Sequence, residues 1–176
     1  MPRHLTLIPF IAPLALGACS TVGDLPTERI GSATLALASG SPAGSAQLLS
    51  NGQSVTLAVA LTGLAAGERG IHVHAVGKCA APDFASAGGH LNPLSKQHGA
   101  MNPAGKHTGD LPNITIRQGG SGALTAELEG TPSQVREWLF DADGAAIVVH
   151  AGPDDYRTDP SGNSGDRVAC GVFKPA

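Results

Sequence analysis

Charge and aromatic rings are both scarce in this chain. Of its 176 residues only 14% are charged and 3% are aromatic, with one Trp, one Tyr and four Phe. No run of Lys or Arg occurs, and the formal net charge is −3. The electrostatic footprint of a nucleic-acid binder is therefore missing. A core with so few rings has to be filled by Val, Leu, Ile and Ala, while 24 glycines and 13 prolines supply turns. That balance suits many short strands rather than long helices. Cysteine is limited to Cys19, Cys79 and Cys170, an odd number that cannot all pair within one chain. The chain also lacks a comfortable membrane span: the apolar stretch LTLIPFIAPLALGA (5–18) is short and is broken by Pro9 and Pro13.

That stretch reads instead as an export leader, opened by Arg3 and closed by LGAC (16–19). Small residues before a cysteine resemble a bacterial lipobox. The expectation is a lipoprotein signal peptide over 1–18, lipid on Cys19, a tether over 19–28 and one domain over 29–176. Ser20 after the cysteine favours the outer membrane of a Gram-negative cell. The protein would then sit in the periplasm and touch membrane only through its anchor. Spending Cys19 on lipid leaves Cys79 and Cys170. An oxidising compartment lets these two pair, and two buried free thiols are the alternative.

Alternation of apolar and polar residues marks the strands. In SVTLAVALTGL (54–64), Val55, Leu57, Val59 and Leu61 share a face. Strand character also appears in 27–39, SAQLLS, GIHVHAVG, ITIRQ, GALTAELE, AAIVVHA (145–151) and VACGVF (168–173), with AAGERG read as a turn. About eight strands with turn signals point to an all-β sandwich or barrel. TPSQVREWLF is expected to hold a short helix capped by Thr131, with Val135, Trp138 and Leu139 on one face. Two segments break the pattern. Residues 78–113 and 152–167 are rich in Gly, Pro and Asp and carry little periodicity. Loops that long in a small domain usually have a function or bind something that orders them.

Every histidine beyond the leader lies in or beside these two loops: His72, His74, His90, His98, His107 and His150. His72 and His74 are two apart on a strand, so both rings leave one face. Imidazole suits zinc and copper, and Asp can complete a set. His107 and Asp110 in HTGD are three apart, within reach of one ion, and the spacings to His98 and His90 let one loop fold around it. Three His and one Asp form a closed, structural zinc site by ligand type. His72, His74 and His150 need one more ligand. His90 provides it if its ring bridges two ions, which spacing alone does not establish.

GIHVHAVGKC, GGHLNPLSKQHG, HTGDLPNI, VVHAGPDD and GNSGDRVACGV, in that order, resemble the copper/zinc superoxide dismutases. The stretch DDYRTDPSGNSGDRVACG resembles the bacterial periplasmic members. The resemblance covers roughly residues 30–174. It implies a Greek-key, eight-stranded flattened barrel or sandwich with two functional loops, the zinc loop and the electrostatic loop. It implies an oxidoreductase converting superoxide to dioxygen and hydrogen peroxide by Cu(2+)/Cu(+) cycling, protecting the cell envelope. Copper would be held by His72, His74, His90 and His150, and Zn(2+) by His90, His98, His107 and Asp110. Asp154 matches the aspartate joining His72 to His98, Cys79 and Cys170 match the disulfide, and Arg167 matches the arginine over the copper channel. His90 and Arg167 would be the catalytic residues, and the protein a monomer or homodimer. The alternative is a periplasmic copper- or zinc-binding protein on the same fold without dismutase activity. Such a carrier should show extra Met or His, whereas the part beyond the leader has one Met, Met101, and no spare histidine.

One feature sits badly with an anionic substrate. Residues 151–167 contain Asp154, Asp155, Asp159 and Asp166 against only Arg157 and Arg167. Lys78, Lys96 and Lys106, in or beside the zinc loop, can supply positive potential instead, and plain solvated lysines are the alternative.

Overall fold

The computed structural model describes Met1 and residues 27–176. Residues 2–18 of the expected leader, Cys19 and all but the end of the tether lie outside the described residues. Where alternation is clean, strands form: β1 (Glu28–Leu37), β2 (Pro42–Ser50) and β3 (Val55–Leu61) make an antiparallel meander. Glu28, expected as the end of the tether, already opens β1 opposite Ser50. Val55, Leu57, Val59 and Leu61 are all buried, as their shared face requires. A one-residue slip would turn all four to water, on the order of 6–12 kcal/mol at about 1.5–3 kcal/mol each. The register is therefore fixed.

The chain continues through β4 (Gly67–Arg69), β5 (Ile71–His74), β6 (Ile114–Ile116), β7 (Gly122–Leu128), helix α1 (Pro132–Leu139), β8 (Ala146–His150), β9 (Arg167–Val172) and β10 (Lys174–Pro175). The main sheet runs β5-β8-β9-β1-β2-β3-β7, with β10 paired to β1; β4 and β6 form a separate pair. Every pairing between these strands is antiparallel, and the non-consecutive neighbours give the Greek-key order. The main sheet has eight strands, the number expected, and the described residues form ten strands in all. The strands outside the expected segments are β4, inside the expected AAGERG turn, and β10. Glu68, Lys174 and Pro175 are exposed, so these strands are held by backbone pairing and carry no hydrophobic period to read. Helix α1 forms as its cap predicts. The Gln134 N–H donates to Thr131 Oγ1, the Thr131 N–H donates to Gln134 Oε1, and Val135 and Leu139 are buried.

The strand that carries the paired histidines is buried on both faces. Ile71 and Val73 join the barrel core, while His72 and His74 leave the opposite face and are fully covered. The cover is the first long loop, which bonds along the free edge of β5. The Val73 N–H donates to Gly109 O at 2.9 Å, the Leu91 N–H donates to Val73 O at 2.8 Å, and the Ala75 N–H donates to Gly89 O at 2.9 Å. Gly109 lies so close to the Val73 carbonyl that a Cβ there would collide with it.

Cys79 and Cys170 are bonded, joining the start of the loop to β9 across a sequence separation of 91. Closing a loop of that length removes unfolded-state entropy worth roughly 4 kcal/mol. Reducing the metal-free protein is expected to lower its unfolding free energy by about 3–4 kcal/mol in denaturant titrations. An unchanged midpoint would mean that the bond only staples the loop.

Candidate metal centre

Three histidines come from strands and three from the first loop. His72 and His74 project from β5, and His150 ends β8 beside them, its N–H donating to Gly70 O. His90 and Asp110 are delivered by bridges from the loop to β5, opposite His74 and His72 respectively. The donor atoms of His72, His74, His90 and His150 lie within 4.8 Å of one another, as do those of His90, His98, His107 and Asp110. His90 belongs to both groups. Its ring is 4.0 Å from that of His72 and 5.2 Å from that of His98.

Hydrogen bonds decide which nitrogen of each ring is free. His72 Nε2 donates to Asp154 Oδ2 at 2.8 Å, His74 Nδ1 to Gly88 O at 3.0 Å, and His150 Nδ1 to Gly165 O at 3.0 Å. Carbonyl and carboxylate oxygens only accept, so the proton sits on the bonded nitrogen and the other carries a lone pair. Those others, His72 Nδ1, His74 Nε2, His90 Nε2 and His150 Nε2, are buried without a partner. An unpaired buried polar atom costs about 1–3 kcal/mol. Four of them turned toward one point fit a cation that accepts all four lone pairs.

The second group converges on one oxygen. Asp110 Oδ1 lies 2.8 Å from His90 Nδ1, 3.1 Å from His98 Nδ1 and 3.2 Å from His107 Nδ1. Asp110 Oδ2 is occupied by the N–H groups of Gly99 and His107, which fix the carboxylate. Asp154 joins the two groups, accepting from His72 Nε2 on Oδ2 and from His98 Nε2 on Oδ1 at 3.0 Å.

Burial pushes His72 and His150 down to about 4 and His74 to about 2, and it lowers His90 as well. These rings stay neutral at neutral pH, the state a metal ligand needs. Burial opposes charge on His98 too, but the carboxylates of Asp110 and Asp154 outweigh it and raise the ring to about 9. Burial likewise works against both carboxylates, yet hydrogen bonds, led by His90 for Asp110 and by His72 for Asp154, hold them well below the ordinary range.

Arg167 borders a cavity of about 360 Å³ whose lining includes His74, His90, His150, Pro160 and Ser161. Its guanidinium donates to Phe84 O at 2.8 Å and to Gly88 O at 2.7 Å. Gly88 O thus anchors both Arg167 and His74. A backbone carbonyl carries no side-chain signature, and sequence reading passed it over.

A family model described as copper/zinc superoxide dismutase matches residues 43–173. The chain belongs to the copper/zinc superoxide dismutase family. It is 41% identical over 138 residues to superoxide dismutase [Cu-Zn] 1 of Aquifex aeolicus, covering 77% of this chain and 82% of that one. It is 39% identical to the superoxide dismutase [Cu-Zn] of Caulobacter vibrioides, covering 96% of this chain and 100% of the other. Among solved structures, a SOD-like protein from Bacillus subtilis matches with a TM-score of 0.75 at 34% identity, covering 84% of this chain and 99% of that one. The fold and the copper/zinc chemistry expected from the motifs are those of the family.

Lys78, Lys96 and Lys106 stand outside the lining of the cavity that Arg167 borders. Lys106 Nζ donates to Asp110 O at 3.0 Å, so it braces the loop.

Gly162, in the second loop, lies tight against this dismutase-family centre. Its φ is +65°, and a Cβ there would run into Asp154 Oδ1 and His98 Nε2. Gly162→Ala is expected to lower zinc retention against a chelator by at least ten-fold. Gly40→Ala, also at positive φ but facing open space, should cost only backbone strain of about 1 kcal/mol and leave the metals alone. Equal effects from the two would reduce Gly162 to a turn residue.

Proposed function

We propose that this chain disproportionates superoxide, two anions and two protons giving dioxygen and hydrogen peroxide. Copper is held by His72, His74, His90 and His150, and zinc by His90, His98, His107 and Asp110. The observation that carries this reading is the set of four buried, unpartnered imidazole nitrogens beside a cavity bordered by an arginine. Bound copper supplies the one-electron couple that the reaction needs.

The side chains supply the rest. His90 Nδ1 faces the second group and Nε2 faces the first, so one ring serves both, and Nε2 can carry a proton to the reduced substrate whenever it is not ligating. Asp154 fixes the tilt of His72 and His98 together, as outer carboxylates do for ligating imidazoles. Arg167 keeps its charge at any working pH. Two of its five N–H groups are spent on carbonyls, which leaves donors for an anion in the cavity.

The same reading makes residues 1–18 an export leader, Cys19 the lipid-bearing N-terminus, 19–28 a tether and 29–176 the catalytic domain in the periplasm, anchored to the outer membrane. The LGAC motif and the Cys79–Cys170 bond, which needs an oxidising compartment, support it.

Elemental analysis after full loading should return one copper and one zinc per chain, with superoxide turnover in the loaded protein. Two zincs and no copper, or full loading without turnover, would leave a metal-binding protein. Arg167→Ala should keep both metals and lower the second-order rate constant about ten-fold, with a weaker dependence on ionic strength. Loss of metal in that variant would make Arg167 part of the scaffold instead.

Mass spectrometry of the native protein should find Cys19 modified and N-terminal, and Cys19→Ala should release an active enzyme into a soluble fraction. An unmodified N-terminus elsewhere refutes the anchor.

A further inference from the structure

Tyr156, the only tyrosine, stands next to the centre and makes its hydrogen bonds to Asp154, Met101 and Asn113 rather than to a ligand side chain. It is half-buried and takes a left-handed backbone, φ 62°, rare for a residue with a large side chain. Each of its polar groups is spent on the frame around Asp154. Its N–H donates to Asp154 Oδ1 at 2.6 Å, the same oxygen that accepts from His98. Its carbonyl accepts from the Met101 N–H at 3.0 Å, in the other long loop. Its hydroxyl accepts from the Asn113 N–H at 2.7 Å.

Asn113 closes the circuit. Its Nδ2 donates to Asp154 O at 2.9 Å, and its Oδ1 accepts from the Asp154 N–H at 2.8 Å. Asp154 is thus gripped on its backbone by Asn113 and on its carboxylate by Tyr156, and the phenol ties the two grips together. The left-handed turn redirects the Tyr156 ring and carbonyl relative to that N–H. Gly99 admits this turn, since a Cβ there would collide with the Tyr156 carbonyl.

We propose that Tyr156 is a positioning residue for both metal groups: through Asp154 and Asn113 it sets the orientation of His72 toward copper and of His98 toward zinc. This rests on the metal assignment proposed above. Tyr156 reaches both loops and the shared carboxylate, whereas a residue that only filled space would leave its hydroxyl free to face solvent.

The test is Tyr156→Phe in the full chain, which keeps the ring and removes only the hydroxyl. Zinc retention in chelator competition should fall about ten-fold, the lower end of what outer partners of metal ligands are worth. The electron paramagnetic resonance spectrum of the copper- and zinc-loaded variant should also shift, because His72 loses its fixed tilt. The thermal midpoint of the metal-free variant should stay close to that of the parent. Because the hydroxyl acts through Asn113, Tyr156→Phe added to Asn113→Ala should lose no more zinc affinity than Asn113→Ala alone. An unchanged copper spectrum and zinc affinity would overturn the proposal. So would a metal-free variant destabilised as much as the loaded one, or additive losses in the pair. A parent protein that fails to take up both metals would instead bring down the metal assignment, and the role of Tyr156 with it.

Discussion

The centre depends on an edge. Strand β5 ends the main sheet with one side unpaired, and exposed backbone N–H and C=O groups on a sheet edge need partners. The first long loop supplies them, in part through Gly109, Leu91 and Gly89. The same hydrogen bonds that close the edge set His90 and Asp110 against His74 and His72. The positions of His90 and Asp110 therefore follow from backbone pairing. Cys79–Cys170 anchors the start of the loop, and Lys106 on the Asp110 carbonyl braces its end.

What this arrangement gains in order it loses in solvation. His72, His74, His98, His107 and His150 are buried, along with Asp110 and Asp154. Several imidazole nitrogens have no protein partner, each costing about 1–3 kcal/mol. A domain whose net stability is only about 5–15 kcal/mol cannot carry many such sites on hydrophobic burial alone. Binding of metal to the folded chain offsets the cost, since ions that prefer the native arrangement stabilise it by their binding energy.

Much of this was legible in the sequence, for identifiable reasons. The faces of β3 and the cap of α1 follow from local periodicity and from one side chain bonding its neighbour's backbone, so they could be read directly. His72 and His74 could be placed on one face because a strand repeats every two residues. Strands β4 and β10 escaped, since backbone pairing of exposed residues leaves no pattern. The roles of Gly88, Asn113 and Tyr156 escaped because they act through carbonyls, amide N–H groups and a left-handed turn, which arise only when distant loops meet. Lys106 is a similar case: its charge is visible in the sequence, but its carbonyl partner four residues on is not.

The acidic second loop looked like an obstacle to an anion, and its folded geometry changes the sum. Asp154 is buried between His72 and His98, and Asp159 accepts the His98 N–H. Asp155 is exposed but committed to Thr158, Asn163 and the Arg157 N–H. These acids serve the loop's own structure, and none of them lines the cavity, where Arg167 is the charged residue. With metals bound, two divalent cations outweigh the buried carboxylates of Asp110 and Asp154, and a bound ion is often the largest local charge in a site. Exposed carboxylates farther off than a Debye length of about 8 Å at physiological salt are screened. An anion entering the cavity therefore meets the charge of the metal groups and Arg167, while the loop's formal total acts mainly on the outer surface.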